Sequence, residues 1–405
     1  MIILVLKCGS SSLKYQLLDM KNDEVYDLLA KGLVERIGME MGCLKHTAAG
    51  KAQFVVEKPI ENHTVAVRAV IDALLDSEHG CLSTLEDIEA VGHRVLHGGP
   101  TIFSSKLVDE SVEDVIDKCS DLGPLHNPAN LRGIRAVKEV LPEVPQVAVF
   151  DTAFHQTMPA YAYMYALPYE YYEKYGIRKY GFHGTSHRFV SAEGAKFAGL
   201  DYNNSKIITC HLGNGSSIAA VENGKCVDTS MGLTPLDGLI MGTRCGSIDP
   251  AVVTYIMNKE GKTAAEMDIL MNKKSGLLGL SDGVSSDLRD MNAAANAGNE
   301  KAKLVLKKLT HDIIKYIGSY AAEMDGVDLI IFTGGIGENN ARIRRRIADN
   351  LNYLGVKFDY EANEQKADEM MLTLPESKVK IAVIATNEEL MIARDTMHIV
   401  QNEEE

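Results

Sequence analysis

Short apolar runs joined by turns of glycine and serine mark two distant parts of the chain. Residues 2–6 lead through such a turn, residues 9–12, into a second run at 15–19, and this pattern predicts a pair of strands. Residues 206–211 and 218–221, joined by a second Gly-Ser turn, repeat the pattern about 200 residues later. The repeat predicts two related domains that face each other across a cleft.

Apolar strands and amphipathic helices make up much of the remaining chain, so we predict an α/β protein. The predicted elements are strands at 88–91, 144–150, 327–332 and 380–385, and helices at 64–75, 129–141, 301–324, from 341 onward, and 387–400. We place the first domain at residues 1–150, completed by the C-terminal segment 386–405, and the second at 151–385. A glycine loop between the strand at 327–332 and the helix from 341 is an arrangement that accepts a nucleotide phosphate or sugar.

Composition narrows the possible partners. The 405 residues carry a net charge of −14, and 45% of them are hydrophobic, as in an ordinary globular protein. An acidic surface attracts neither nucleic acid nor an anionic membrane, so an anionic substrate needs a local basic pocket. The seven cysteines form no CxxC pair, which argues against a disulfide framework and a zinc site. Since no stretch resembles a signal peptide or a membrane span, we expect a cytoplasmic protein.

The first turn is a candidate phosphate site. Gly9 is followed by Ser10, Ser11 and Ser12, and Lys14 comes shortly after them. Backbone N–H groups and hydroxyls in such a turn, with a lysine nearby, can hold a phosphate group. An ordinary hairpin turn accounts for the same residues equally well.

Nine motifs, in order, carry a resemblance to a known family. They are GSSSLK at 9–14, GHRVLHGG at 92–99, PLHNP at 124–128, VFDTAFH at 149–155, YGFHGTSH at 180–187, HLGNG at 211–215, MGTR at 241–244, FTGGIGEN at 332–339 and TNEE at 386–389. Through them the chain resembles the acetokinase family over essentially its whole length. That family shares a superfamily with sugar kinases, heat-shock chaperones and actin. The resemblance therefore implies two duplicated actin-like (ribonuclease H-like) domains facing a nucleotide-binding cleft.

The resemblance also implies a reaction in which the γ-phosphoryl group of ATP passes directly and reversibly to acetate, with Mg²⁺ or Mn²⁺. Both reactants are anions, so catalysis is mainly charge neutralisation and in-line positioning. The family assigns this task to Arg94 and Arg244, with His183 as a further donor, and makes Asp151 the catalytic carboxylate. Acetate is already ionised at neutral pH, so we expect Asp151 to orient Mg²⁺-bound water or the arginines rather than act as a base. A homodimer is the family expectation, and the tyrosine-rich residues 161–180 are compatible with a subunit contact.

The binding residues that the resemblance implies fall into three groups. The nucleotide group is Ser10, Ser12, Lys14, His211, Leu212, Gly213, Asn214, Gly215, Asp287, Leu288, Arg289, Gly335, Ile336, Gly337, Glu338 and Asn339. The acetate group is Arg94, Leu96, Leu125, His126, Phe182 and Pro235, and the expected carboxylate near Mg²⁺ is Glu388. Family members often have valine at the position of Leu96, so we expect a tighter pocket that favours acetate over propionate.

Lys7 departs from the family pattern, which places asparagine there, at the Mg²⁺ end of the site. An amide oxygen can accept a hydrogen bond from metal-bound water, whereas an ammonium group has donors only and repels the cation. We expect Lys7 to weaken Mg²⁺ binding and to lower turnover without disturbing the fold. The alternatives are that Lys7 turns to solvent or pairs with Asp151 or Glu388.

Other functions stay open at this point. The nearest alternative is a propionate or butyrate kinase, and an alternative of a different class is an ATP-binding module without catalysis. His183 and His187 stand four apart, but Gly184 takes the place of the glutamate in an HExxH zinc motif, and the glycines nearby oppose a regular helix. Ser186 lacks the GxSxG nucleophile elbow of a serine hydrolase.

Overall fold

The computed structural model describes residues 1–124 and 126–403, so Leu125 of the predicted acetate group lies outside the described residues. The chain forms two compact units. Unit 1 is Met1–Phe154 together with the chain from Asn387 onward, and unit 2 is His155–Thr386.

Both units combine strands and helices. The strands are β1 (Ile2–Cys8), β2 (Ser12–Met20), β3 (Tyr26–Glu35), β4 (Gly42–Ala48), β5 (Phe54–Lys58), β6 (Ala90–Val95), β7 (Lys106–Leu107), β8 (Gln146–Phe150), β9 (Lys206–Leu212), β10 (Ser216–Glu222), β11 (Lys225–Thr229), β12 (Leu329–Thr333), β13 (Glu369–Met371) and β14 (Lys380–Ile384). The α-helices are α1 (His63–Leu75), α2 (Glu110–Lys118), α3 (Asn127–Val140), α4 (Ala160–Tyr163), α5 (Glu170–Tyr175), α6 (Gly184–Phe197), α7 (Pro250–Glu260), α8 (Ala264–Lys273), α9 (Gly276–Leu280), α10 (Leu288–Asn296), α11 (Glu300–Glu323), α12 (Gly334–Asn339), α13 (Ala341–Ala348), α14 (Tyr360–Asn363) and α15 (Glu388–Glu403). Among the described residues, no helix combines the length and the apolar character needed to cross a membrane.

The two sheets share one arrangement. The order is β5-β4-β3-β2-β1-β6-β8-β7 in unit 1 and β11-β10-β9-β12-β14-β13 in unit 2. In unit 1 the antiparallel strands β3, β2 and β1 adjoin the parallel strands β6 and β8, and in unit 2 the antiparallel strands β11, β10 and β9 adjoin the parallel strands β12 and β14. The same five-strand pattern thus occurs twice, which confirms the predicted α/β fold class with two duplicated domains.

The sheet of unit 1 is covered on both faces. Leu4 and Leu6 of β1 belong to one apolar cluster with α1 and α3. Because side chains alternate along a strand, Lys7 points to the opposite face, which α15 covers. Gly92 of β6 permits the close approach of α15, since a Cβ at this position would lie 2.5 Å from Oγ1 of Thr396. The C-terminal helix therefore completes unit 1 and brings its first turn to the end of β1.

The sheet of unit 2 is built in the same way. The long helix α11 buries Leu309, Ile313 and Ile317 along one stripe against the apolar core, as the spacing of these residues predicted. Helix α6 covers the other face, where Gly194 allows the helix to lie directly against Ile331 of β12. The central strands of both sheets are therefore buried between helices, which is why their sequences are almost wholly apolar.

Two predictions of local structure were wrong. The strand predicted at 88–91 is β6, Ala90–Val95, and it continues through polar residues because His93 is hydrogen-bonded to Gln146 and Arg94 is paired with Asp151. The glycine loop predicted before residue 341 is instead the short helix α12, Gly334–Asn339. It begins at once because Glu338 accepts a hydrogen bond from the N–H of Gly334.

Candidate active site

Three parallel strands of unit 1 end at one edge of its sheet. β1, β6 and β8 lie side by side and run in the same direction. The carboxyl ends of parallel strands are a frequent place for ligand sites in α/β proteins, because the loops and side chains that follow converge there. This edge carries Lys7, Arg94 and Asp151, all of which the sequence analysis singled out.

Arg94 and Asp151 form a close ion pair. Arg94 donates from Nη2 at 2.5 Å and from Nε at 3.1 Å to Oδ2 of Asp151, which is 2% exposed. Burial by itself would lower the pKa of Arg94, but attraction by Asp151, and also by Glu388 and Glu389, raises that pKa above its ordinary value. The guanidinium is thus charged and held in one orientation, while its Nη1 donates to no described residue.

Lys7 lies between two carboxylates of the first turn of α15. Its Nζ is 2.6 Å from Oε2 of Glu388 and 3.1 Å from Oε1 of Glu389. Burial lowers the pKa of Lys7, but the two carboxylates together raise it above its ordinary value, so the ammonium group is charged. Of the alternatives for Lys7, pairing with Glu388 is the one found.

The turn after β1 is short and is held by hydrogen bonds. The N–H of Gly9 donates to the carbonyl oxygen of Ser12 at 2.8 Å, and the ring of His63 is hydrogen-bonded to the carbonyl oxygen of Gly9. Ser10 is exposed, Ser12 is partly exposed and begins β2, and the side chain of Lys14 is exposed on β2. The hydroxyl-rich turn predicted as a phosphate cradle is therefore accessible at the same end of β1 as Lys7.

Leu96 and His126, which the resemblance assigns to acetate binding, lie beside the N-terminal half of α3. Asn130 accepts from the N–H of Leu96 at 3.0 Å, and Asn127 accepts from the N–H of the next residue, His97, at 3.1 Å. Leu96 is buried, and a Cβ on Gly123 would be only 3.0 Å from its Cδ2. His126 directly precedes α3 and is partly exposed. The backbone of Leu96 is therefore held by Asn130, and its Cδ2 methyl group lies close to Gly123.

His183 precedes α6 in an unusual backbone conformation. Its φ of 55° and ψ of 23° are left-handed, a region that non-glycine residues rarely adopt outside constrained sites. Helix α6 begins at Gly184 and includes His187, so the expectation that nearby glycines oppose a regular helix was wrong. The helix forms because its first turns are buried and His187 is hydrogen-bonded at both ring nitrogens.

Four histidine rings cluster beneath the start of α6. The rings of His183 and His211 stack with their centroids 4.3 Å apart, and His187 lies 5.7 Å from His155 and 6.2 Å from His211. The pKa of His155 is lowered to about 4, and the pKa of His187 is lowered well below its ordinary value. Burial is the largest cause in both cases. Both of these histidines are therefore neutral at physiological pH.

Arg244 is a partly buried cation. Its Nη1 donates to the carbonyl oxygen of Pro235 at 3.1 Å, and it forms no ion pair with any residue that the structure describes. Burial lowers the pKa of Arg244, although a guanidinium is protonated at every physiological pH. A Cβ placed on Gly215 would be 3.4 Å from Nε2 of His183 and 3.6 Å from Nη1 of Arg244. The two predicted donors thus converge beside a position that carries no side chain.

The predicted nucleotide residues of unit 2 lie in three segments. Leu212 and Leu288 are buried in the apolar core, so only their backbone groups are available to a ligand. The turn at 213–215 contacts the loop of Arg244, since the N–H of Gly242 donates to the carbonyl oxygen of Asn214. Asp287 caps α10 and forms an ion pair with Arg289 at 2.7 Å; the side chain of Arg289 is 89% exposed. Hydrogen bonds from Arg289 lower the pKa of Asp287 to about 2.

The residues of the short helix α12 differ in their exposure and in their contacts. Gly335 has open space where a Cβ would lie, and Ile336 is partly exposed. Glu338 is engaged within unit 2, because its carboxylate accepts from the N–H groups of Gly334 and Thr386. Gly337 is buried against the end of β12, and the Asn339 side chain donates to the carbonyl oxygen of Gly335. The open side of α12 is therefore at its first turn.

Comparison with known proteins identifies the family of this chain. The model of the acetokinase family matches residues 2–394. The chain is 55% identical over 402 residues to the acetate kinase of Clostridioides difficile (strain 630), and the match covers 99% of this chain and 100% of that protein. The chain belongs to the acetokinase family. Among solved acetokinase-like structures, Porphyromonas gingivalis acetate kinase gives a TM-score of 0.94 at 49% identity, covering 98% of this chain and 99% of the other. A propionate kinase from Francisella tularensis subsp. tularensis SCHU S4 gives 0.90 at 43% identity, with the same coverage.

The Mg²⁺ that the acetokinase resemblance implies can be tested against the donors at the end of β1. Mg²⁺ at phosphate sites commonly takes only one or two protein carboxylates, together with waters and phosphate oxygens. It therefore needs no cluster of three acidic, His or Cys side chains, and the described residues contain none. Glu388 and Glu389 offer oxygens on both sides of a cation position. The donors fit the metal, but the ammonium group of Lys7 lies between them.

Sequence reasoning missed some residues that contact the predicted site residues of each unit. They are Glu389, which shares Lys7 with Glu388; Asn127 and Asn130, which hold the segment after β6; and Thr209, His187 and Ser217, which are hydrogen-bonded in a row to His183. Only Thr209 had a sequence signal: it lies two positions before the predicted site residue His211 on β9, so both face the same side of the sheet.

Proposed function

We propose that this acetokinase transfers the γ-phosphoryl group of ATP to acetate, giving acetyl phosphate and ADP in a reversible reaction. The observation that carries the proposal is Arg244, a desolvated guanidinium without an acid partner among the described residues. A cation in this state is stabilised by an anionic ligand, which restores the interactions lost with water. The reverse reaction tests the proposal: acetyl phosphate and MgADP should give ATP that luciferase detects, and ATP at the level of the enzyme-free control would contradict it.

In this mechanism the two arginines have different tasks. Arg94, fixed by Asp151, donates its Nη1 to the acetate carboxylate, whereas Arg244 and His183 donate to oxygens of the transferring phosphoryl group. Mg²⁺, when bound, supplies positive charge to the β- and γ-phosphate oxygens. One acetate oxygen forms a bond to the γ-phosphorus as the bond to the ADP oxygen breaks. Because acetate is ionised beforehand, no proton has to be removed from it.

The nucleotide binding that we infer uses backbone as much as side chains. Ser10, Ser12 and Lys14 offer donors to phosphate oxygens from the turn after β1. In unit 2 the glycine turn at 213–215 and the open first turn of α12 at Gly335 admit a ligand close to the main chain. The exposed pair of Asp287 and Arg289 supplies polar contacts for the adenosine.

We propose that Leu96 makes the pocket select acetate over propionate. Its side chain is buried and lies against Gly123, so it cannot retract to admit a further methylene. Leu96→Val should therefore raise kcat/KM for propionate, relative to kcat/KM for acetate, by about tenfold. This is within the discrimination that one methylene group gives in an apolar pocket. Steady-state kinetics with both acids measures the ratio, and an unchanged ratio would refute the assignment.

We further propose that Lys7 competes with Mg²⁺ for Glu388. Removing an ammonium group from a cation site relieves repulsion, which solvent weakens at this partly exposed position. Lys7→Asn should bind Mn²⁺, in the presence of ADP, about tenfold more tightly than the unaltered protein, as measured by the electron paramagnetic resonance of free Mn²⁺. Lys45→Asn, which removes a partly exposed lysine paired with Glu35, is the matched control. Superimposable titrations of Lys7→Asn and the unaltered protein would dispose of the competition.

We infer that the enzyme is a homodimer. Helix α7 of unit 2 buries none of its residues, and Val252 and the 64% exposed Tyr255 lie on it, with the exposed Ile248 just before it. Exposed apolar side chains grouped in this way are typical of an interface. Tyr161, exposed in the tyrosine-rich segment of the same unit, supports a second contact region. Sedimentation equilibrium should give twice the chain mass of 44.3 kDa, and a single species of 44.3 kDa would contradict the dimer.

A cytoplasmic location is also part of the proposal. All seven cysteines are free thiols, five of them buried. Free thiols persist in a reducing compartment, where disulfides are rare. Fusion to a fluorescent reporter should give a diffuse cytoplasmic signal, and a signal at the cell envelope would contradict the location.

A further inference from the structure

A row of hydrogen bonds runs from the core of unit 2 to His183. Oγ1 of Thr209 lies 2.7 Å from Nδ1 of His187, and Nε2 of His187 lies 2.7 Å from Oγ of Ser217. Oγ of Ser217 in turn lies 2.8 Å from Nδ1 of His183. Thr209, His187 and Ser217 are fully buried. The row joins four side chains from β9, α6, β10 and the residue that precedes α6.

Proton counting allows this row two directions in which Ser217 donates one hydrogen bond and accepts the other; a Ser217 that accepted from both histidines would have a buried O–H without an acceptor among the described residues. Each hydroxyl has one proton to donate, and a neutral imidazole has one N–H and one acceptor nitrogen. His187 is neutral, because burial and the neighbouring histidines hold its pKa well below the ordinary value. If Thr209 donates to His187, then His187 donates to Ser217 and Ser217 donates to Nδ1 of a neutral His183. If the direction is reversed, neutral His183 carries its proton on Nδ1.

Thr209 decides between the two directions. Its hydroxyl is hydrogen-bonded to His187 and to no other residue that the structure describes. In the reversed direction the Thr209 O–H would be buried without an acceptor, and a buried donor left unpaired is strongly disfavoured. In the forward direction each of the four groups uses its proton or its acceptor within the row. The forward direction is therefore the stable one.

We propose that Thr209, His187 and Ser217 are positioning residues that fix His183 as the tautomer with its proton on Nε2. Nε2 of His183 is the nitrogen that would lie 3.4 Å from a Cβ on Gly215, beside Nη1 of Arg244. The row thus turns a neutral imidazole into an N–H donor at the place where Arg244 also converges. This inference rests on the proposed function, in which both groups bind the transferring phosphoryl group, and it adds the reason why a neutral His183 can donate there.

The tautomers can be measured directly by NMR of deuterated protein with ring-¹⁵N histidine, recorded without nucleotide or acid. Comparison with His183→Gln and His187→Gln assigns the two rings. We expect protonated Nε2 and unprotonated Nδ1 in both His183 and His187. A proton on Nδ1 of either neutral ring would overturn the proposal. Because no substrate is present, this result is independent of whether acetate is phosphorylated.

Variants test whether the row itself sets the tautomer. Ser217→Ala removes the donor to Nδ1, so the two ring ¹⁵N shifts of His183 should move toward each other, and kcat should fall about tenfold with both KM values within twofold. Thr209→Val should shift His183 in the same sense by a smaller amount, and Thr209→Ser should restore it. The matched control is Ser191→Ala, which removes a buried α6 hydroxyl that is bonded to Tyr202 and should change neither readout. Unaltered His183 shifts in Ser217→Ala or in Thr209→Val would overturn the row as the cause.

Discussion

We expect Arg94→Met to lower kcat/KM for acetate by at least ~10³-fold, the size of effect that a transition-state arginine contributes in phosphoryl transfer. The residue supplies a fixed positive charge at the end of β6, where Asp151 holds its guanidinium through two hydrogen bonds. Methionine keeps most of the side-chain volume and removes the charge. The measurement is steady-state kinetics with ATP saturating and acetate varied.

The control for this variant separates chemistry from stability. Arg94→Met leaves the buried Asp151 without its ion-pair partner, and an unpaired buried charge destabilises a fold. The double variant Arg94→Met with Asp151→Asn removes that charge as well, so it should regain thermal stability but not activity. Arg68→Met, which breaks an exposed ion pair with Glu139, should keep activity within twofold. If the double variant recovered activity along with stability, the role of Arg94 would be structural.

Asp151→Asn should lower kcat by about 100-fold, with a loss that no pH change repairs. Asparagine can still accept hydrogen bonds from Arg94 through Oδ1 but lacks the charge that raises the pKa of Arg94. Acetic acid has already lost its proton at neutral pH, so the loss of a general base cannot be the cause of the lower kcat. The pH–rate profile of the variant from pH 6 to 9 should therefore run parallel to that of the unaltered enzyme.

Exogenous bases provide the opposing test for Asp151. Imidazole or formate rescues variants in which a proton acceptor has been deleted, because a small base can take its place. No such rescue is expected here. Full recovery of Asp151→Asn with added base, or at alkaline pH, would mean that Asp151 removes a proton and does not merely orient Arg94.

The fold could be predicted from the sequence where apolar periodicity was strong. The strands that became β1, β9 and β12 and the helix α11 are apolar runs or stripes of sufficient length. The prediction failed where polar pairing extends or starts an element. His93 and Arg94 continue β6 because Gln146 and Asp151 are there to bind them, and α6 begins beside glycines because its histidine is bonded in the core.

The site was less predictable because its contacts join distant parts of the chain. Family motifs indicated Arg94, Arg244 and His183, but the pairing of Lys7 with Glu388 and Glu389 depends on how α15 packs across the sheet. The hydrogen-bonded row behind His183 likewise depends on the register of β9 and β10, which places Ser217 opposite His211. Local sequence carries no such register, so these partners became visible only in the folded structure.

The proposed phosphorylation of acetate is tested most directly by trapping its product. Purified protein, ATP, Mg²⁺ and hydroxylamine are incubated with acetate, with propionate or without acid, and the acyl hydroxamate is measured. We predict rapid hydroxamate formation with acetate, about tenfold slower formation with propionate, and none without acid or with Arg244→Ala. Faster formation with propionate would make the protein a propionate kinase. Hydroxamate no higher with acetate than without acid, in protein that binds ATP, would show that it is a nucleotide-binding module and contradict the proposed reaction.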